Sequence, residues 1–391
     1  MERGPALAKA QKIATAARTH ADETEAGHRL AKPVVDAIDA SGLTTITLPT
    51  ALGGDETHPS VFAEVVETIA IGDASAGWCA GINIGCNTIM ALLDPTAGKS
   101  LLPDPHKGGM GGFAPSGQLS RHNGGYRVTG RWPFASNCHQ AVYGAVGVMH
   151  FEDGAPKMGP AGPVTGMVFV PADDFVIDET WDMVGMRGTG SHDVVVDDVD
   201  VDDAFVTDLF APVKCDDALY RMRMFDILGP SLGVVPLGIG RAALNAACEH
   251  IELHGDAPQR GPKPPFGVDV AGQMAFAEAD RRLRSTRGFL FDNLDEAYSH
   301  ALRGDRPPRE VSARIGLAVI ESLAAGTHAV DVASRLLGSS ASRDGAYLDR
   351  LRRDVLSAGA HVMFSPGFAA PLGRQAAGMH TVAWPYLPPE D

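Results

Sequence analysis

The stretch Gly124-Gly-Tyr-Arg-Val-Thr-Gly-Arg-Trp-Pro-Phe-Ala-Ser-Asn-Cys138 decides how the chain is read. Asn123, Gly124 and Gly125 tolerate positive φ, and Tyr126, Val128 and Trp132 give the β-rich, partly alternating pattern that follows a two-residue turn. A hairpin is expected. Pro133 has no amide hydrogen, so the strand ends, bulges or lies at an edge there.

Beyond the hairpin comes a cluster of Trp132, Phe134 and the small hydroxyl of Ser136. A flat aromatic wall beside a hydroxyl suits a planar heterocycle with one hydrogen-bonding edge atom, such as a flavin ring and its N5. The alternative is that the two aromatics are core and Ser136 caps a turn.

Outward from this stretch the chain divides into three parts. Residues 6–40 place Leu7, Ile13, Leu30, Val34, Val35 and Ile38 on helical faces. Val61, Val65 and Ile69 repeat at i+4 in an expected amphipathic helix. Ala74 to Leu93 is nearly all small or apolar, which predicts a helix buried on most sides and ending at Asp94-Pro95. From Gly108 the composition turns to Gly, Pro and β-branched residues, and short strands are expected near 108–112, 123–132, 141–149, 164–170 and 194–201. After Phe210 four long helical patterns return, Leu232–Ala247, Met274–Leu294, Arg309–Leu337 and Tyr347–Met363, which argue for an antiparallel bundle. The domains expected are 1–107 helical, 108–210 β and 211–391 helical.

Composition narrows the function classes. With 45% hydrophobic residues in 391, a substantial core is available, and a formal charge of −15 opposes binding to nucleic acid or an anionic membrane surface. The five cysteines, Cys79, Cys86, Cys138, Cys215 and Cys248, have no Cys-x-x-Cys or Cys/His spacing, so no metal site is expected and reduced thiols in a cytoplasm are the economical reading. The N-terminus lacks the apolar run of a signal peptide, and the most apolar stretch, Ile227 to Ile239, is too short to span a bilayer and is broken by Gly229, Pro230 and Pro236. No Gly-x-Gly-x-x-Gly opens a helix after a strand, which argues against a Rossmann domain.

Gly124 to Asn137 closely resembles a segment of flavoproteins with the acyl-CoA dehydrogenase fold, in the branch that holds the group D flavin-dependent monooxygenases. Gly42-Leu43, Leu48-Pro49 and Gly53-Gly54 are similar to the N-terminal element of that superfamily, and Gly72-Asp-Ala-Ser-Ala-Gly-Trp78 to its next helix junction. Trp181 to Ser191, followed by Val194-Val-Val-Asp-Asp-Val199, resembles the segment that closes its β domain. Leu351-Arg-Arg-Asp354, with His361 seven residues later, resembles the branch's final helix. The pieces fall in the expected order over most of the chain, while 240–300 matches poorly. The resemblance implies an α+β fold: an N-terminal helical domain, a middle β-barrel domain and a C-terminal four-helix bundle. It also implies FAD or FMN held between the β domain and the bundle, and a homotetramer.

Which chemistry the fold carries turns on a carboxylate. Acyl-CoA dehydrogenases remove an α-proton with a glutamate, so a positioned carboxylate is indispensable to them. Here Asp354 is followed by no Asp or Glu until Glu390, and Ile227 to Leu244 contains none. A histidine at His361 resembles the monooxygenase branch, where imidazole acts on a bound phenol or beside the oxygen-charged flavin, since it titrates near neutral pH. The resemblance implies Ser136 beside flavin N5 as a second catalytic group, Trp132 and Phe134 lining the ring, Ser116-Gly117 either offering backbone donors to the flavin or forming only a turn, and Arg187 as a structural contact of the flavin domain. Pro258 to Gly267 stands where dehydrogenases carry an arginine for the flavin pyrophosphate, with shifted spacing; this suits a flavin that arrives reduced and leaves.

The expected function is the oxygenase component of a two-component monooxygenase. It would hydroxylate an aromatic or polycyclic small molecule with O2 and reduced flavin from a separate NAD(P)H-dependent reductase. The alternatives are an acyl-CoA dehydrogenase-like oxidoreductase with an atypical base, and a non-catalytic relative that keeps the fold for binding.

Overall fold

The computed structural model describes residues 1–160, 162–254, 264–343, 345–382 and 385–388. Helices α1 (Arg3–Thr19), α2 (Ala21–Gly27), α3 (Lys32–Ser41), α4 (Pro59–Gly72), α5 (Ala74–Ile89) and α6 (Pro95–Leu101) come first. Their ends follow local chemistry. Gly42 closes α3 at φ 66, Pro59 starts α4, and Asp73 caps α5 by accepting from Ala76 N at 2.9 Å. α4 is buried on nearly every side, not on one face, because α1, α5 and α7 (Phe225–His254) surround it.

The middle of the chain forms strands β1 (Gly109–His122), β2 (Gly125–Ala135), β3 (Tyr143–Glu152), β4 (Ala155–Pro156), β5 (Met158–Gly159), β6 (Gly162–Pro163), β7 (Thr165–Pro171), β8 (Val176–Asp178), β9 (His192–Val201) and β10 (Val206–Thr207). One eight-stranded sheet runs β10-β7-β3-β1-β2-β9-β8, with β4 on β3; β5 and β6 pair separately. The expected hairpin is β1–β2: His122 pairs with Gly125 across Asn123 at φ 47 and Gly124 at φ 87. β2 is central, and Pro133 is accommodated by an irregularity in its pairing with β9 between Trp132 and Ala135.

Helices α7, α8 (Val270–Leu302), α9 (Arg309–Leu337) and α10 (Tyr347–Ala358) form the C-terminal bundle, with α11 (Ala369–Ala376) against α9. Two expectations are corrected. The apolar stretch at Ile227–Ile239 is not interrupted: Pro230 and Pro236 lie inside the continuous α7. Neighbours hold that helix from several sides. A Cβ on Gly233 would meet Val319 Cγ2 at 2.8 Å, one on Gly238 would meet Glu67 O at 2.9 Å, and one on Gly326 would meet Pro236 O at 2.2 Å. By length and composition α7 and α9 match membrane spans, but 94% of the apolar window of α7 is buried inside the protein. The second correction concerns Tyr347–Met363: α10 stops at Ala358, so His361 sits past the helix and starts a 3-10 turn, Val362–Phe364.

Candidate active site

Ser136 lies just past β2, and the elements around it converge on its hydroxyl. Trp78 Nε1, from α5, donates to Ser136 Oγ at 3.1 Å. Ser136 Oγ is 2.7 Å from Ser191 Oγ, which is 2.6 Å from Thr189 Oγ1, and that hydroxyl reaches Met186 O at 2.8 Å. All four side chains are buried. Asn137, at φ 69, fixes the register of the turn: its amide donates to Asn83 Oδ1 on α5 at 2.8 Å, and its N–H to Thr189 O at 3.0 Å.

His361 reaches the same indole from the bundle. Its ring packs edge-on against Trp78 at 5.3 Å and Phe364 at 6.5 Å. Met363 N donates to His361 Nδ1 at 3.3 Å, so Nδ1 carries the lone pair and the neutral ring carries its hydrogen on Nε2. Burial lowers its pKa to about 4. Tyr386 donates to Met363 O at 2.7 Å and steadies the turn. Trp78 thus joins Ser136 and His361, which are 225 positions apart by number (361 − 136).

Carboxylates near this cluster are already engaged. Asp73 caps α5, and Asp354 Oδ1 accepts from Met186 N at 2.6 Å. Asp226 accepts from Arg223 N at 3.1 Å and Ser312 Oγ at 2.9 Å. Among the described residues none is hydrogen-bonded to Trp78, Ser136 or His361. The thiols nearby are protonated: burial pushes Cys138 up to about 11 and Cys79 further still. No group of His, Cys, Asp and Glu suited to a metal occurs among the described residues.

The other expected site residues separate into two sets. Phe134 stands out at φ 63, 61% exposed, edge-on to Trp181 at 6.2 Å. It presents an apolar ring beside the hydroxyl cluster. Trp132 does not: it is fully buried in the sheet core, its Nε1 donating to Gly147 O at 2.7 Å. Glycines make its bed, since a Cβ on Gly112, Gly117 or Gly130 would come within 3.0, 2.3 or 2.6 Å of the indole side chain. The role of Gly117 here is therefore space, while Ser116 is exposed on β1 where its pairing with β3 shifts. Arg187 holds the protein's own loop: it donates to Met183 O at 2.7 Å and Asp182 at 3.0 Å, and touches the ring of His28. His139 packs edge-on against His192 at 5.1 Å. Arg260 and the rest of 258–263, the replacement for the pyrophosphate arginine, lie outside the described residues.

Trp78, Thr189 and Ser191 were not singled out from sequence, although all three lie in the stretches that resemble known segments. Their signal was a polar group amid small residues.

The donor set fits a flavin. An exposed aromatic face stands next to the buried hydroxyl of Ser136, and a neutral imidazole lies across the Trp78 indole from that hydroxyl.

Comparison with known proteins follows the same line. Residues 231–366 match the family described as acyl-CoA dehydrogenase, C-terminal domain. The chain is 31% identical over 332 residues to an indole-3-acetate monooxygenase of Pseudomonas putida, covering 84% of this chain and 80% of that protein. It is 27% identical over 359 residues to the oxygenase subunit HsaA of a flavin-dependent monooxygenase from Rhodococcus jostii, covering 89% and 92%. The solved structure of XiaF from a Streptomyces species, in complex with FADH2 and glycerol, superposes with a TM-score of 0.87 at 23% identity, covering 97% of this chain and 96% of that one.

Proposed function

The chain belongs to the flavoproteins of the acyl-CoA dehydrogenase fold, in the group D flavin-dependent monooxygenase branch, and from that premise we propose how its own residues serve the reaction. It is the oxygenase component of a two-component system that hydroxylates an aromatic or polycyclic small molecule with reduced flavin and O2. A separate NAD(P)H-dependent reductase would deliver the flavin, FAD or FMN, in a cytoplasm.

The observation that carries this reading is the pairing of a neutral imidazole with a hydroxyl cluster around Trp78, where the described carboxylates are engaged elsewhere. Bound reduced flavin would supply the electrons that activate oxygen. Phe134 and Ser136 would orient the ring, and Trp78 would exclude water from its edge. His361 Nε2–H is a donor: it would hold the oxygen of a phenolic substrate or the leaving hydroxyl, since Nδ1 already accepts from Met363.

The test has two arms. Reduced FAD or FMN, oxygen labelled with 18O and a panel of phenols and indoles should give a singly labelled hydroxylated product. Oxidised flavin with assorted acyl-CoA thioesters, without oxygen, should not bleach. Bleaching without labelled product would promote the dehydrogenase reading.

A further inference from the structure

The hydroxyl chain from Ser136 to Met186 has only one arrangement of its protons. It comprises three contacts, Ser136–Ser191, Ser191–Thr189 and Thr189–Met186 O, at 2.7, 2.6 and 2.8 Å, and three hydroxyl hydrogens to fill them. A carbonyl has no hydrogen, so Thr189 must donate to Met186 O. Ser191 must then donate to Thr189, and Ser136 to Ser191. Any other arrangement leaves two oxygens facing each other at hydrogen-bond distance with no proton between them, where burial keeps water from compensating.

The end of the chain is anchored. Met186, at φ 54, turns its carbonyl toward Thr189 Oγ1, Thr189 N and Trp181 Nε1 together. At the other end Trp78 Nε1–H occupies one lone pair of Ser136 Oγ. Ser136 is left with one lone pair and no hydrogen to offer.

That polarity distinguishes the two redox forms of a flavin. Oxidised N5 is an acceptor, whereas reduced N5 carries a hydrogen and donates. We infer that Ser191 and Thr189 are positioning residues that fix Ser136 as an acceptor, and so select reduced over oxidised flavin without touching the ring. This rests on the flavin site proposed above.

The two residues act differently when changed. Ser191→Ala frees the Ser136 hydrogen to turn outward. Thr189→Val removes the sink, so either hydroxyl can donate in the Ser136–Ser191 contact and the polarity is no longer fixed, although Thr189 is further from the ring. Ser191→Thr and Thr189→Ser keep the chain.

The experiment titrates full-length wild type and these four variants with oxidised FMN and FAD, and anaerobically with dithionite-reduced FMN and FAD. Dissociation constants come from calorimetry, and the midpoint potential of the bound flavin provides an independent readout. Wild type should prefer the reduced form. Ser191→Ala should lower the ratio of the two affinities about tenfold, Thr189→Val should lower it in the same direction, and both should shift the potential in the direction that favours oxidised flavin. The two conservative variants should behave as wild type, which separates polarity from packing. Equal weakening of both forms by Ser191→Ala and Thr189→Val, with an unchanged ratio, would overturn the inference while leaving a flavin site. Failure of wild type to bind either flavin would overturn both the site and the inference.

Discussion

Ser136 and His361 meet the same indole but differ in what they owe to burial. Ser136→Ala loses two hydrogen bonds, the one accepted from Trp78 Nε1 and the one shared with Ser191, about 1 kcal/mol each, so the variant should be less stable but remain folded. It should also bind reduced flavin more weakly and release more peroxide per product, measured by peroxide assay against product yield; unchanged coupling would remove Ser136 from the site. His361 carries a thermodynamic signature of its own. Its folded pKa of about 4 lies below the ordinary 6.5, so between those values the unfolded chain binds more protons than the folded one. Stability should therefore be full above about pH 6.5 and fall as pH drops toward 4, by up to roughly 3 kcal/mol from this one group. Urea titrations of wild type and His361→Gln at pH 7 and pH 4.5 should show a smaller loss in the variant. An equal loss in both would mean that the imidazole is not held neutral. For the same reason the pH–rate profile should have no limb near 6.5 owed to His361.

At the scale of elements, the loop between β8 and β9 is docked onto α10. Arg353 donates to Val184 O at 2.8 Å and to Glu25 at 2.6 Å, and a Cβ on Gly185 would lie 2.1 Å from Arg353 O. Asp354 accepts from Met186 N, the residue whose carbonyl anchors the hydroxyl chain. Burial, then the neighbouring Asp73, pushes the Asp354 carboxyl up to about 7. The sign is opposite to that of His361: the stability it contributes is complete below about 3.8 and lost as pH rises through 7. Asp354→Asn keeps an acceptor for Met186 N and removes the buried charge, so its Tm should exceed that of wild type by a few degrees at pH 8 and converge with it by pH 5. A lower Tm at pH 8, read by scanning calorimetry, would show the charge itself to be needed.

The same elements show what could be read beforehand. The β1–β2 hairpin and the full length of α9 followed from turn residues and apolar period alone, because both signals are local. Phe134 and Trp132 were expected on one wall because they cluster beside Ser136 and because the resemblance implies that both line the ring. The irregularity at Pro133 separates them, burying one ring and turning the other out, and its phase is set by β9, a strand 57 positions on from Ala135 (192 − 135). The end of α10 was overrun for a similar reason: His361 caps a new turn whose N–H donor, Met363, has no mark in composition. Prolines in α7 suggested breaks, but packing against α4 and α9 outweighed them.

At the scale of the molecule, the bundle leaves apolar groups uncovered. Val268, in the turn just before α8, and Val270 and Met274, at the start of α8, are 70, 64 and 68% exposed, and Phe289 further along the helix is 43% exposed. Val270 and Met274 stand at i and i+4, so they share a face, and an exposed apolar face on a bundle helix is what a second copy would cover. The homotetramer that the resemblance implies would close around such faces, each copy presenting the same surface. A formal charge of −15 per chain opposes the approach of identical subunits, so association should tighten with salt as that repulsion is screened. Light scattering at micromolar protein should give four times the chain mass of 41.0 kDa, with a larger tetramer fraction at 0.3 M than at 0.02 M salt. Val270→Lys combined with Met274→Glu should lower that mass while the helical circular dichroism stays as in wild type, because these side chains contribute little to the core of their own chain. A wild-type monomer across the salt range would overturn the tetramer, and an unchanged mass in the double variant would move the interface away from the start of α8.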